Sequence, residues 1–313
     1  MTCAAPAPVS IRELCAAWKA AATMNGGIAI GGASEQYRLL NNEIVFHELN
    51  YDELRDAIVG LTDVLLLPGL NTIIDRDHEL LWSWLGELLL GRDGPLSTST
   101  NREIASLAET AVRSALANVR PPTQEAFDRS KLVGSLSEHN AVQFLQHANL
   151  ALAYLAFPLL EAICRRACSS YVDLNGTVLA RFPRQNGGSY NVSGKCSNVG
   201  DLLRLIEGTV SSGPLKSDLH EVLSHIQALS PGATDGATVV FDWRNSSLHG
   251  EVSLPTIGGT TLSLGLMIAL DGVRDDYEDR RAAAINRAQR ELQGFQSGSR
   301  WNPSPWSYYP PYA

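Results

Sequence analysis

The sequence predicts a mainly α-helical protein, and three observations support this fold class. Apolar residues recur every three or four positions through long stretches, the spacing that places them on one face of a helix. Glycine and proline separate these stretches, and capping sequences begin several of them. The 313 residues, 44% of them hydrophobic, suffice to bury one large core or two modest ones.

The first part of the chain, residues 1–130, is predicted to be an N-terminal helical accessory region. Ser10 and Glu13 have the spacing of a capping box, and apolar residues then recur at helical spacing up to Trp18. Three further helices are expected over residues 51–67, 75–90 and 100–119. Residues 37–49 mix polar and β-branched side chains, which predicts a short hairpin.

Residues 135–292 are predicted to form a second helical unit, with the boundary between the two units in residues 121–134. A long apolar pattern predicts one helix over residues 137–171, kinked at Pro158. Glycines over residues 174–197 predict a long loop with two short strands, around Val178 and Tyr190. The remaining helices are expected over residues 198–210, 217–229 and 256–292. Residues 293–313, rich in tryptophan, tyrosine and proline, are predicted to be a flexible tail or to dock through their aromatic rings.

Composition narrows the functional classes. The net charge of −8 argues against a broad nucleic-acid-binding surface but leaves room for a small catalytic site. Five cysteines without a compact spacing do not suggest a disulfide scaffold. The N-terminus lacks the features of a signal peptide, and the longest apolar stretch, residues 150–160, is too short to span a bilayer. We therefore expect a soluble, cytoplasmic protein without membrane association.

The segment that points to chemistry is residues 244–249, which read Arg-Asn-Ser-Ser-Leu-His and are followed by Gly250. In a helix, Asn245 and His249 share one face. Arg244 is about 140° away from His249, so its side chain has to curl round or the turn has to be irregular. A histidine that titrates near neutral pH suits acid–base catalysis, and an arginine fork suits a phosphate. Both groups are compatible with a reaction such as the cleavage of RNA by its own 2′-hydroxyl, which needs proton transfer and charge stabilisation but no metal.

This segment resembles the motif of the HEPN family, in which an arginine precedes a histidine by four to six residues and a polar residue follows the arginine. The Leu-His-Gly ending and the order of the surrounding helices are also similar, and the resemblance covers residues 137–292. It implies a helical bundle that forms a homodimer in which two motifs meet. It also implies an endoribonuclease without cofactor or metal, in which His249 is the general acid or base, Arg244 the phosphate clamp and Asn245 the orienting group.

The same resemblance implies a biological setting and a rival interpretation. Such proteins often act in toxin–antitoxin or antiviral defence systems, and the N-terminal region or the tail would then bind a protein partner or sense a trigger. The rival is a non-catalytic HEPN-like module for dimerisation or partner binding. In that case, Arg244 and Asn245 would cap backbone groups at a helix start, and His249 would be hydrogen-bonded inside the bundle.

Several other groups of polar residues can each be interpreted in two ways, as structural residues or as part of a site. Glu161 and Arg165 are four residues apart, which predicts an ion pair, with support of the motif as the alternative. Cys164 and Cys168 are expected to be buried thiols rather than metal ligands, and His220 and His225 surface or packing residues. The charged residues 75–79 are interpreted as a helix start, where acidic residues favour the helix dipole, rather than a site.

Overall fold

The computed structural model describes residues 9–23, 32–67, 74–90, 95–96, 102–119, 123–133, 135–248 and 255–296. Within these ranges the protein is mainly α-helical, which confirms the predicted fold class. The helices are α1 Ile11–Ala22, α2 Tyr51–Leu65, α3 Arg76–Leu90, α4 Arg102–Val119, α5 Gln124–Val133, α6 Leu136–Gln146, α7 Ala148–Ala167, α8 Val199–Leu205, α9 Pro214–Ala228, α10 Gly236–Leu248, α11 Pro255–Asp271 and α12 Tyr277–Gln296. An antiparallel pair, β1 Phe182–Pro183 and β2 Ser189–Tyr190, lies between α7 and α8.

The predicted hairpin over residues 37–49 is wrong. This segment forms short 3-10 turns, at Gly32–Tyr37, Leu40–Asn42 and Phe46–Glu48. The carboxylate of Asp77 on α3 accepts the backbone N–H groups of Leu39 and Leu40, at 2.8 and 3.1 Å. These bonds occupy donors that a strand ladder would need, so the segment folds against α3 instead.

The single helix predicted over residues 137–171 is two helices, because the chain turns at His147 between α6 and α7. α6 begins with a capping box formed by Ser135 and Glu138 and contains no buried residue. α7 in contrast packs against α4 and α11 in the core and contains Pro158 within it. The predicted apolar stripe is therefore buried only in its second half, and Leu145 in the first half is 38% exposed.

The last predicted helix, residues 256–292, is also divided. α11 and α12 are joined by a 3-10 turn at Arg274–Asp276, and the chain bends by 66° between them. The bend brings Tyr277 into the core, where its hydroxyl donates to the carbonyl of Leu49 at 2.8 Å. α12 continues to Gln296, four residues into the segment predicted as a tail. Residues 297–313 lie outside the described part of the chain.

One cluster of buried apolar side chains extends from α1 to α12. Gly258 of α11 lets this helix approach α7 closely, since a Cβ there would lie 2.8 Å from Leu152 Cγ. A Cβ at Gly259 would lie 3.2 Å from the ring of Trp82 on α3. Residues from both predicted units thus contribute to the same core, and α5 occupies most of the predicted boundary. The division into two domains stays a prediction.

Among the described residues, one helix, α7, is long and apolar enough to cross a bilayer by length and composition, with a mean hydropathy of 1.3, and the bent pair of α11 and α12 passes the same test together. Half of the apolar stretch of α7 is buried inside the protein. Its contacts with α4 and α11 place it in the core described above.

Candidate functional site around Arg244

The helix that carries the motif, α10, is capped at its N-terminus by the carboxylate of Asp235, which is itself hydrogen-bonded to Arg204. Asp235 accepts the backbone N–H of Thr238 at 2.7 Å, as an N-cap does. The guanidinium of Arg204 on α8 donates hydrogen bonds to both carboxylate oxygens of Asp235, each at 2.8 Å. These hydrogen bonds lower the pKa of Asp235 to about 2, so the carboxylate is charged at neutral pH.

Two glycines fix α10 against its neighbours. A Cβ on Gly236 would lie 1.9 Å from the carbonyl oxygen of Leu223 on α9, so no other residue fits there without moving a backbone. A Cβ on Gly200 of α8 would lie 2.7 Å from the carbonyl oxygen of Ala237. α10 therefore packs between α8 and α9 at close backbone distance. This packing determines the direction of α10 and hence the position of its C-terminal end, which carries Arg244.

Arg244 and Asn245 lie in the last turn and a half of α10, not at a helix start as the rival interpretation assumed. The structure describes α10 up to Leu248, and His249 lies outside the described residues. Nη1 of Arg244 donates to Oδ1 of Asn245 at 3.3 Å, so the amide steadies one edge of the guanidinium. The expected helical face shared by Asn245 and His249 stays a prediction.

The structure brings Glu161 and Arg165 of α7 to the same place as Arg244. Arg165 donates to Oε1 of Glu161, which confirms the predicted ion pair. Nη2 of Arg244 lies 3.9 Å from Oε2 of the same carboxylate. We call Glu161, Arg165 and Arg244 the arginine cluster. All three side chains are partly accessible, with exposed fractions of 14%, 20% and 28%.

The loop that follows α7 holds Arg165 in place. Its guanidinium donates to the carbonyl of Leu174 at 3.2 Å and approaches that of Cys196 at 3.5 Å. Gly176 lies directly over it with a φ of +79°, and a Cβ there would sit 2.7 Å from the carbonyl oxygen of Cys196. Arg165 is therefore bonded to protein partners through both terminal nitrogens, Nη1 and Nη2.

Arg244 makes weaker contacts with the protein than Arg165 does, and this difference affects which of the two can bind a ligand. Its contact with Glu161 is at the outer limit of an ion pair, and its hydrogen bond to Asn245 is long. The arginine cluster contains two guanidiniums and one carboxylate, so it keeps an excess positive charge. A phosphate oxygen can therefore be bound by Arg244 without breaking a strong pair.

Ser247 is a residue that the sequence reasoning missed. It lies one turn after Arg244, is 1% exposed, and its hydroxyl has no hydrogen-bond partner among the described residues. A small polar residue inside the motif was the available signal, but its burial depends on tertiary packing that the sequence pattern does not show. A buried, unsatisfied hydroxyl costs free energy, so it marks this end of α10 as locally unfavourable.

The cysteines and histidines that were considered as possible ligands have structural roles. Cys164 and Cys168 are buried thiols as expected, and burial raises the pKa of Cys168 to about 12. No cluster of metal-ligating side chains occurs within the described ranges. His220 and His225 each face a carboxylate: Nδ1 of His220 lies 2.7 Å from Glu207, and Nδ1 of His225 lies 2.5 Å from Asp63.

The charged residues 75–79 do begin a helix, as predicted, but two of them are fully buried. Asp77 binds the backbone of Leu39 and Leu40, and burial raises its pKa to about 6, with a further contribution from the charge of Asp75. Nε2 of His78 lies 3.1 Å from the carbonyl oxygen of Leu61, and Nδ1 lies 3.1 Å from Asp75. We call Asp75, Asp77 and His78 the buried acidic cluster.

Comparison with protein-family models, with curated proteins and with solved structures finds no match for this chain. Function is therefore argued from the motif and from the contacts of Arg244, Glu161 and Arg165.

Proposed function

We propose that this protein is a metal-independent endoribonuclease of HEPN type. The observation that supports this most is that Arg244 has only weak contacts with the protein. Arg244 is partly accessible and lies 3.9 Å from the carboxylate of Glu161, which is already paired with Arg165. An arginine that only held a bundle together would be expected to make short, two-pronged hydrogen bonds. Arg244 instead keeps donors for an anion at the end of α10, five residues before His249 in sequence.

The reaction needs three contributions from the protein. The 2′-oxygen attacks the adjacent phosphorus, the bond from phosphorus to the 5′-oxygen breaks, and the products are a 2′,3′-cyclic phosphate and a 5′-hydroxyl. His249 takes the proton from the 2′-hydroxyl or gives one to the leaving oxygen. Arg244 stabilises the charge on the non-bridging oxygens, and Asn245 orients the guanidinium.

One histidine supplies one of the two proton transfers at a time. A homodimer that brings two motifs together would supply both, and we include this dimer in the proposal. We also propose a cytoplasmic location, as expected from the sequence, and, from the resemblance, a role in a toxin–antitoxin or antiviral defence system, with the N-terminal region or the tail as the place for a protein partner.

The rival function is a non-catalytic HEPN-like module for dimerisation or partner binding. The contact between Glu161 and Arg244 favours it, because a carboxylate beside the arginine already provides a structural partner. The two functions differ in what happens to RNA, so cleavage separates them.

The test is to incubate the purified full-length chain with end-labelled RNA in the presence of EDTA. We expect the wild-type protein to produce cyclic-phosphate ends and His249→Ala to produce none. His220→Ala, which removes an exposed histidine on α9, is the matched control and should cleave normally. Cleavage by His249→Ala would contradict the proposed site, and no cleavage by any of the proteins would favour the non-catalytic module.

A further inference from the structure

The loop between α7 and α8 has a charge balance opposite to that of the whole chain. The protein has a net charge of −8, yet the loop, residues 168–198, contains three cations, Arg181, Arg184 and Lys195, and one acidic residue, Asp173. All three cationic side chains are exposed. An unbalanced positive surface on an acidic protein predicts an anionic partner.

These three cations contact neutral groups. Nζ of Lys195 donates to the hydroxyl of Thr177 at 2.9 Å and to a carbonyl at 3.3 Å. Arg181 reaches the hydroxyl of Ser189 at 3.4 Å, and the guanidinium of Arg184 lies 4.1 Å from the ring centre of Tyr190. Within the described ranges, none of the three is within ion-pair distance of a carboxylate.

Arginines elsewhere in the protein behave differently. Arg12 pairs with three carboxylates that lie on α2 and α9, Arg55 pairs with Asp218, and Arg204 grips Asp235. Those arginines connect helices to one another. The loop cations do not connect elements, so their charge is available to a ligand.

The loop is ordered and is attached to the arginine cluster. β1 pairs with β2, and the backbone N–H of Val178 donates to the carbonyl of Gly194 at 2.9 Å. Both ends of the loop meet the guanidinium of Arg165 through the carbonyls of Leu174 and Cys196. Lys195 directly precedes Cys196, whose carbonyl oxygen lies 3.5 Å from Nη2 of Arg165, so this end of the loop lies beside the arginine cluster.

Exposed aliphatic side chains accompany these cations. Leu179 is 50% exposed and Val192 is 60% exposed. A folded duplex hides its base faces, whereas a single strand presents them beside its phosphates. A surface that combines unpaired cations with exposed apolar groups therefore fits a single strand better than a duplex.

We propose that Arg181, Arg184 and Lys195, together with Leu179 and Val192, form a binding surface for single-stranded RNA, which we call the loop surface. The cations bind successive phosphates, the aliphatic side chains contact bases, and the strand is led towards Arg244. This inference rests on the proposed function for the identity of its ligand and extends it by naming where the strand lies outside the catalytic motif.

The test is the binding of a fluorescein-labelled single-stranded RNA 12-mer to full-length His249→Ala, measured by anisotropy between 50 and 200 mM salt. The triple variant Arg181→Ala, Arg184→Ala, Lys195→Ala, made in the same background, is compared with it. If three phosphates are bound by the loop surface, the slope of log affinity against log salt should become shallower by about 2 in the triple variant. The single variant Lys195→Ala should reduce it by about 0.7.

Lys131→Ala, which removes a cation on α5, is the control and should leave the slope unchanged. A duplex of the same length should bind more weakly than the single strand. The inference is overturned if the triple variant binds RNA with an unchanged slope, if the His249→Ala protein does not bind RNA, or if the loop surface binds polyglutamate or anionic vesicles in preference to RNA. An unchanged circular dichroism spectrum and unfolding midpoint of the triple variant show that it is folded.

The two proposals fail in different ways. If the wild-type protein cleaves RNA but the triple variant binds normally, the loop surface is wrong and the proposed function stands. If binding depends on the loop cations but the wild-type protein does not cleave, the loop surface stands and the ribonuclease assignment is wrong.

Discussion

Two charged clusters of this protein differ in how they satisfy their charges. In the buried acidic cluster, Asp77 and His78 are 0% exposed and bind backbone groups of other segments at 2.8 to 3.1 Å. The arginine cluster on α7 and α10 is partly accessible, and its contact between Arg244 and Glu161 is 3.9 Å long. Asp77 and His78 of the first cluster have short contacts and no access to solvent, whereas the second cluster is accessible and has one long contact.

This difference separates structural charge from available charge. Asp77 and His78 replace water with protein hydrogen bonds, and His78 is further enclosed by the rings of Trp18 and Trp82, at 6.1 and 5.5 Å. Such a network holds α2, α3 and the 3-10 turns together. Arg244 retains donors and solvent access, which is what binding an anion requires. Charged side chains thus serve stability in one half of the chain and, in our proposal, chemistry in the other.

The largest stability effect is expected from the buried acidic cluster. Asp77→Ala would remove the acceptor from the buried backbone N–H of Leu39 and from the part-buried N–H of Leu40, at a cost of about 3 kcal/mol in the free energy of unfolding. Urea denaturation followed by tryptophan fluorescence measures it. Glu125→Ala, on the exposed face of α5, is the control and should change stability by less than about 0.5 kcal/mol. An equally small loss for Asp77→Ala would mean that the two clusters do not differ in the way described.

The pH dependence of stability sharpens the same contrast. The folded pKa of Asp77, about 6, lies above its ordinary value of 3.8, so the folded protein binds this proton more tightly than the unfolded chain does. The resulting stabilisation is fully present below about pH 4 and is lost as the pH rises through about 6. Relative to Asp77→Asn, the wild-type protein should therefore become less stable as the pH rises across this window. Paired urea titrations at pH 4.5 and pH 7 check this, and parallel curves for the two proteins would contradict it.

The smallest stability effect is expected at Glu161. Its ion pairs are partly solvated, so Glu161→Gln should change the free energy of unfolding by at most about 1 kcal/mol. If Glu161 positions Arg244, kcat for RNA cleavage should fall about tenfold while KM stays level or falls, because the freed guanidiniums still attract phosphate. Steady-state cleavage and thermal unfolding of the same preparation measure both. A large loss of stability with unchanged kcat would assign Glu161 to the fold alone.

The sequence was sufficient for features that depend on neighbouring residues. The capping box of Ser10 and Glu13 is present, and Glu161 pairs with Arg165 as the i,i+4 spacing predicts. The breaks at His147 and after Asp271 were missed. They depend on distant packing: α7 is buried where α6 is not, and Tyr277 reaches the carbonyl of Leu49.

In the candidate site, too, local features could be predicted from the sequence and contacts between distant segments could not. The motif on α10 is a local pattern, and its residues could be named from the sequence. Its contact with Glu161 joins two helices far apart in the chain, so periodicity gave Glu161 only as a candidate beside the motif. The burial of Asp77 depends on Leu39 and Leu40 in another segment, and for this reason residues 75–79 could be interpreted only as a helix start.

The most direct test of the central claim is a substitution that keeps the charge of Arg244 and removes its fork. Arg244→Lys should lower RNA cleavage by at least about 100-fold, because a lysine cannot hold two phosphate oxygens in a plane. Its thermal unfolding midpoint should match that of the wild-type protein, and Arg129→Lys on the exposed side of α5 should behave as wild type in both assays. Full cleavage by Arg244→Lys, or a loss of cleavage that only follows a lower unfolding midpoint, would contradict the assignment of Arg244 to chemistry.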